Sequence, residues 1–162
     1  MTLSYLVTET SAGPLFVAYR ERQICMSMLA SDAEHFRSEC HRRLGDRPDA
    51  ADDSILRRKV DARLLGDHPL DFDLSPYTDF QRSVLQAVAA IPRGQVRSYG
   101  DVAAEVDHPG AARAVGEVMR TNPIPVLIPC HRVVRAGGAP GNYSPRPEIK
   151  RQFLIEEGAL PG

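Results

Sequence analysis

The sequence predicts an α/β (α+β) N-terminal domain, a small β-sheet with helices over residues 1–75. A mainly helical C-terminal domain over residues 76–162 follows, with a winged-helix-like helix-turn-helix. Three observations carry this reading. Apolar, β-prone segments bounded by turn residues fill residues 3–29. Beyond them, capping residues repeatedly precede apolar positions at helical spacing. The composition changes at Ser75-Pro76-Tyr77, which marks the boundary.

Residues 3–10 form the first predicted strand. Leu15-Phe16-Val17-Ala18-Tyr19 is a second, introduced by the turn residues Ala12-Gly13-Pro14, and Ile24–Leu29 is a third. Ser31 or Asp32 caps a helix that runs to about Leu44, where Gly45 stops it. Asp52 or Asp53 caps another, with Ile55, Leu56, Val60, Leu64 and Leu65 on one face and Gly66 at its end. Leu70-Asp71-Phe72-Asp73-Leu74 alternates as a strand does.

In the second half, Thr78 caps a helix with Phe80, Val84, Leu85 and Val88 on its apolar face, and Pro92-Arg93-Gly94 ends it. Gln95-Val96-Arg97 is extended. Ser98 caps a short helix over roughly 99–106, Asp107-His108-Pro109-Gly110 breaks it, and a second helix runs from about Ala111 to Arg120. Two short helices joined by a Pro/Gly turn make a helix-turn-helix pattern. The second helix opens with small residues around Arg113, which permits close approach to a protein core or to a nucleic-acid groove. Prolines 123 and 125 push Asn122 and Ile124 to extended conformations. Val126-Leu127-Ile128 reads as a buried strand that presents Pro129-Cys130-His131 at its end. A final helix opens at Pro147 or Glu148 and stops at Gly158.

Composition narrows the function classes. Of 162 residues, 43% are hydrophobic and 25% charged, the balance of a globular protein. No apolar run approaches the ~20 residues of a membrane span, and the first residues lack a signal-peptide pattern. A soluble, cytoplasmic protein without a membrane partner is the expectation. Three cysteines without such a signal argue against a disulfide framework. The net charge is −1, yet residues 92–151 carry nine Lys and Arg against five Asp and Glu, whereas residues 1–91 carry 11 against 14. A locally basic segment can attract phosphates, although so small an excess also describes a solvated surface.

Cys25 sits among apolar strand residues and reads as a small hydrophobe. Cys130 differs, with Pro129, His131 and Arg132 around it. A thiolate is the reactive form of cysteine, and a histidine or cation favours it. On an extended chain Cys130 and His131 would point to opposite sides, so a water would have to carry a proton between them. The same pair also suits a metal or chance adjacency. Glycine-rich residues 136–144 would let backbone amides and Tyr143 approach a ligand. Glu156-Glu157 end the last helix, where a carboxylate opposes the helix dipole and either meets a partner or is simply exposed to solvent.

From about Thr78 to Gly158 the chain resembles the O(6)-alkylguanine-DNA alkyltransferases (methylated-DNA–protein-cysteine methyltransferases). The most specific part is Asn122-Pro123 followed by Val126 to Val134. Ser98-Tyr99-Gly100, Ala111 to Gly116, Gly141 to Ser144 and Glu156-Glu157-Gly158 occur in the family's order and spacing. The resemblance implies that Cys130 accepts an alkyl group from O(6) of guanine, and possibly O(4) of thymine, once and irreversibly. It implies that His131 is the base acting through water, that Glu157 orients it, and that Asn122 braces the turn. Tyr99 would crowd the target phosphate and help protonate the leaving base. Arg113 would replace the flipped nucleotide, with Ala112, Ala114, Gly116 and Arg120 also against DNA. Met119, Val133, Tyr143, Ser144 and Lys150 would form or support the pocket. The Cys130 and Val133 carbonyls would receive the guanine amine, and the Ser144 amide would donate to the alkylated oxygen. Minor-groove binding suits small residues with one inserted arginine, and base flipping exposes an atom hidden in the stack. The implied partner is duplex DNA containing alkylated guanine, met by a monomer.

One departure stands out. After Tyr143-Ser144 the run is Pro145-Arg146-Pro147, where the family often has glycines. Two prolines would stiffen this loop and disfavour bulky lesions. Some members hold zinc in the N-terminal half. Cys25, His35, Cys40 and His41 do not have a recognised ligand spacing, so no metal and no cofactor is expected. The alternatives are a non-catalytic alkyl-damage binder, which would lack Cys130, a helix-turn-helix regulator, which needs neither His131 nor Glu157, and an unrelated cysteine hydrolase.

Overall fold

A computed structural model describes residues 1–137 and 146–162. Contacts divide the chain into two units, Met1–Leu74 with Pro123–Leu127, and Ser75–Asn122 with Ile128–Gly162.

In the first unit, β1 (Ser4–Thr10), β2 (Gly13–Arg20) and β3 (Gln23–Leu29) form an antiparallel meander. A two-residue strand, β4 (Asp49–Ala50), adds in parallel to β1, giving the order β3-β2-β1-β4. Helix α1 (Ala33–Leu44) is capped by the Asp32 side chain and ended by left-handed Gly45. Its Phe36 packs on Phe16, with ring centroids 5.3 Å apart, and shares a buried cluster with Ala18, Cys25 and Cys40. Helix α2 (Ser54–Gly66), capped by Asp53, serves the opposite face, where Asp61 accepts from the Thr8 hydroxyl at 2.6 Å.

Two expectations here need correction. On α2, Leu56 and Val60 are buried, but Ile55 and Leu65 are exposed and Arg63 is buried in their stead. The helix turns an arginine inward because carbonyls await it. Arg63 Nε donates to the Leu127 carbonyl at 2.8 Å and Nη1 to His68 at 3.2 Å, while the Phe72 ring lies 5.5 Å from the guanidinium. Residues 70–74 are not a strand. Only Phe72 bridges to Ile24, whose N–H and C=O are taken by Asp71 O and Asp73 N–H, so pairing stops after one residue.

Residues 126–128 are likewise not a strand. Val126 has φ 72°, the left-handed region that a β-branched residue strongly avoids. The backbone around it is bound by single hydrogen bonds from Ser27 instead of a ladder. Within the same unit, the Ser27 amide donates to Pro123 O at 3.0 Å and the Ser27 hydroxyl to Pro125 O at 2.6 Å.

In the second unit, α3 (Asp79–Ala89) opens with a capping box between Thr78 and Gln81. Strand β5 (Arg97–Ser98) leads directly into α4 (Tyr99–Glu105), whose capping box joins Ser98 and Asp101. The turn to α5 (Ala112–Arg120) uses positive φ at Asp107 and Gly110. Its geometry is held by His108 N–H on Ala103 O at 2.9 Å and Ala111 N–H on His108 O at 3.0 Å. Val102, Ala103, Val115 and Val118 are buried, and Phe80 of α3 meets the His108 ring edge-on. The chain resumes after the excursion in a 3-10 turn (Cys130–Arg132), then β6 (Val133–Val134), paired in parallel with β5. Helix α6 (Pro147–Glu156) begins with proline in its first turn and ends at left-handed Gly158.

Candidate active site

The 3-10 turn corrects the expectation that Cys130 and His131 lie on an extended chain. Successive side chains on such a turn diverge by about a third of a rotation, so they are not sent to opposite faces. Cys130 N–H donates to Ile128 O at 2.7 Å, Arg132 N–H to Pro129 O at 2.9 Å and Val133 N–H to Cys130 O. Asn122 Nδ2, buried, donates to the same Ile128 oxygen at 3.0 Å. Cys130 itself is 6% exposed.

His131 is 2% exposed and packed against the Phe153 ring of α6, with centroids 5.2 Å apart. Its Nε2 lies 2.9 Å from Glu157 Oε2. An ionised carboxylate only accepts, so this contact sets the proton on Nε2 and leaves Nδ1 with the lone pair. That Nδ1 is buried and has no hydrogen-bond partner among the described residues. Burial holds the imidazole below its ordinary pKa, against the pull of Glu157 and with help from Arg132 and Lys150. The imidazole is therefore held neutral, with Nδ1 as an open acceptor.

Glu157 caps α6, the position where the helix dipole disfavours a carboxylate. Its partners compensate. Arg132 Nε donates to Oε1 at 2.9 Å and Nη2 to Oε2 at 3.0 Å, a two-pronged pair. Burial alone would raise the Glu157 pKa, but hydrogen bonds from His131 and Arg132 hold it down at about 2. Arg132 was visible in the sequence only as a cation beside Cys130. The misplaced charge at Glu156-Glu157 was the signal that a partner existed.

Lys150 is 1% exposed, and its Nζ donates to Val133 O at 2.6 Å, 5.9 Å from the Tyr99 ring centre. Burial lowers its pKa to about 8, with Cys130 acting in the opposite sense. Tyr99, the first residue of α4, has its pKa raised by burial and by Cys130, so its hydroxyl keeps its proton. The Cys130 and Val133 carbonyls already accept Val133 N–H and Lys150 Nζ respectively. Each would receive a guanine amine only on its second lone pair.

On α5, Arg113 and Ala114 are exposed, Ala112 and Gly116 half-buried, and Arg120 is paired to Glu117 at 2.7 Å. Met119 and Val133 are buried. Tyr143, Ser144 and Pro145 lie outside the described residues. Cys25 and Cys40 are buried, with burial pushing the Cys40 thiol up to about 12 and the Cys25 thiol up as well, so both are poor nucleophiles. His35 and His41 are exposed on α1. Among the described residues no three His, Cys, Asp or Glu side chains group as metal ligands do.

The second unit thus sets a helix-turn-helix ahead of a buried cysteine and a histidine bound to a carboxylate. The family model for the DNA-binding domain of 6-O-methylguanine DNA methyltransferase matches residues 79–159. The chain belongs to that family. A methylated-DNA–protein-cysteine methyltransferase of Salmonella typhimurium is 48% identical over 83 residues, covering 51% of this chain and 48% of the relative. The aligned stretch thus spans about half the length of such curated relatives. The crystal structure of an O6-methylguanine methyltransferase from Mycobacterium tuberculosis is 30% identical, with a TM-score of 0.77 and coverage of 98% of this chain and 94% of that one. A structure of Mycobacterium tuberculosis OGT in complex with DNA is 31% identical, with a TM-score of 0.76 and coverage of 95% and 92%. These likenesses agree with the predicted fold class. No described helix is long and apolar enough to cross a membrane.

Proposed function

We propose that this protein repairs DNA by transferring a methyl or other alkyl group from O(6) of alkylguanine to its own Cys130. The observation that carries the reading is the 2.9 Å contact of His131 with Glu157 on the turn that bears Cys130, with the opposite ring nitrogen left as an acceptor. The Cys130 thiol proton passes through a water to His131 Nδ1. Sulfur attacks the alkyl carbon, the S–C bond forms, and the C–O(6) bond breaks with its electron pair going to guanine. The leaving base takes a proton that Tyr99 is placed to give. Solvent then takes the extra proton from the His131 imidazolium and returns one to the Tyr99 phenolate. The thioether is stable, so each molecule acts once.

The target base must leave the stack to meet a buried thiol. Arg113, exposed on the small-residue start of α5, is suited to fill the gap from the minor groove, with Ala112, Ala114, Gly116 and Arg120 along the same helix. Met119, Val133 and Lys150, all buried, form or support the pocket. The protein acts as a monomer on duplex DNA, without a cofactor, in the cytoplasm. The test is to mix it with a duplex containing O(6)-methylguanine and map the product by peptide mass spectrometry. A methyl group on Cys130 at one per molecule is expected. Tight binding without transfer would make the protein a damage binder instead.

A further inference from the structure

Glu157 Oε2 receives two donors, His131 Nε2 at 2.9 Å and Arg132 Nη2 at 3.0 Å, while Oε1 receives Arg132 Nε at 2.9 Å. The guanidinium is itself pinned, its Nη1 donating to Ile91 O at 2.6 Å just beyond α3. A second restraint holds the carboxylate's backbone. Gly94, at φ +87°, lies so close to Glu157 that a Cβ there would stand 3.1 Å from the Glu157 carbonyl oxygen. Glu157 is thus fixed in position and shares its charge with a permanent cation.

We propose that Arg132 is a positioning residue that occupies the Glu157 charge, so that Glu157 orients His131 without protonating it. This rests on the reading of His131 as the base for Cys130. A carboxylate facing an imidazole alone in a buried site favours the imidazolium, which has no lone pair to offer. With Arg132 on both carboxylate oxygens, the same contact selects the Nε2–H tautomer and leaves Nδ1 open. The other groups around His131 are Lys150 of α6, which also opposes a second positive charge, Cys130 on the same turn, and the neutral Phe153 ring. On the turn after α3, Arg93 Nη2 reaches Glu156 O at 3.5 Å.

The experiment is a pH titration of the native protein labelled with 15N-histidine, the His131 signal being assigned from a His131→Gln variant. It is repeated on Arg132→Met and Arg132→Lys and paired with single-turnover methyl-transfer rates over the same pH range. Native His131 should stay neutral, protonated on Nε2, at pH 7. In Arg132→Met its titration and the acid limb of the rate profile should move up together, by on the order of one pH unit, a tenfold change in the protonation equilibrium. Arg132→Lys keeps the charge but loses the fork. It should leave the titration near the native position while the rate falls at every pH. Adding Glu157→Gln to Arg132→Met should bring the titration back down.

An Arg132→Met protein that folds and shows an unmoved His131 titration would overturn the proposal, as would native His131 charged or protonated on Nδ1 at pH 7. The native spectrum decides even if Arg132→Met does not fold. The spectra need no activity, so absence of methyl transfer would count against the repair reading alone.

Discussion

Asn122 and Cys130 converge on one oxygen: the Asn122 amide donates to Ile128 O at 3.0 Å, and the Cys130 backbone N–H donates to it at 2.7 Å. The two ends of the excursion through residues 123–127 are thereby tied at the point where the nucleophile begins. Asn122→Ala removes a buried bond and leaves an acceptor partly unserved, which costs about 1–3 kcal/mol. Urea denaturation should show that loss. Methyl transfer should slow as well, because the turn carrying Cys130 loses its tie. A variant as stable and as fast as the native protein would refute this role for Asn122.

Acid stability should depend on Glu157. Its folded-state pKa is depressed from the ordinary 4.5 to about 2. A depressed carboxylate contributes stability that is present above its unfolded pKa and is lost as pH falls through the folded one. The loss should therefore run from about pH 4.5 down to about 2. Glu157→Gln should flatten this part of the stability curve, as followed by urea midpoints at stepped pH, and should slow transfer by roughly 10²-fold or more if orientation of the base is lost.

Arg113 and Arg120 should separate in function. Arg113 is exposed, whereas Arg120 is held by Glu117 on the next turn back. Arg113→Ala should change unfolding stability by no more than about 0.5 kcal/mol, as for surface substitutions generally. It should lower transfer from duplex DNA far more than Arg120→Ala does. Transfer from free O(6)-methylguanine base should be unaffected by either. Equal effects of the two variants on duplex repair would remove Arg113 from the role of intercalating residue.

Lesion size should matter. Pro147 sits in the first turn of α6 and, with Pro145, brackets Arg146. A chain so restricted adapts poorly to a large group. Methylated guanine should react faster than benzylated guanine, and replacing both prolines with glycine should narrow the gap. Equal rates in the native protein would remove the loop as a size filter.

Much of the molecule is decided locally, and that part was legible. Asp32, Asp53, Thr78 and Ser98 start helices because their side chains satisfy amide groups within three residues, and Gly45 and Gly158 stop them by accepting a left-handed backbone. The helix-turn-helix was likewise written in local pattern, whereas the pairing of His131 with Glu157 followed only from the family resemblance. The sequence reading failed where distant groups override local preference. The extended pattern of Val126-Leu127-Ile128 yields to a turn because Ser27, Arg63 and Asn122 take the surrounding carbonyls. Arg63 turns inward for a carbonyl 64 positions away, and Arg132 forks onto a carboxylate 25 positions away. Sequence alone determined the capped helices and the motif around Cys130, but not the 3-10 turn that carries it. Tertiary structure decided the protonation state of His131, because that depends on burial and on charges that meet only when the chain is folded.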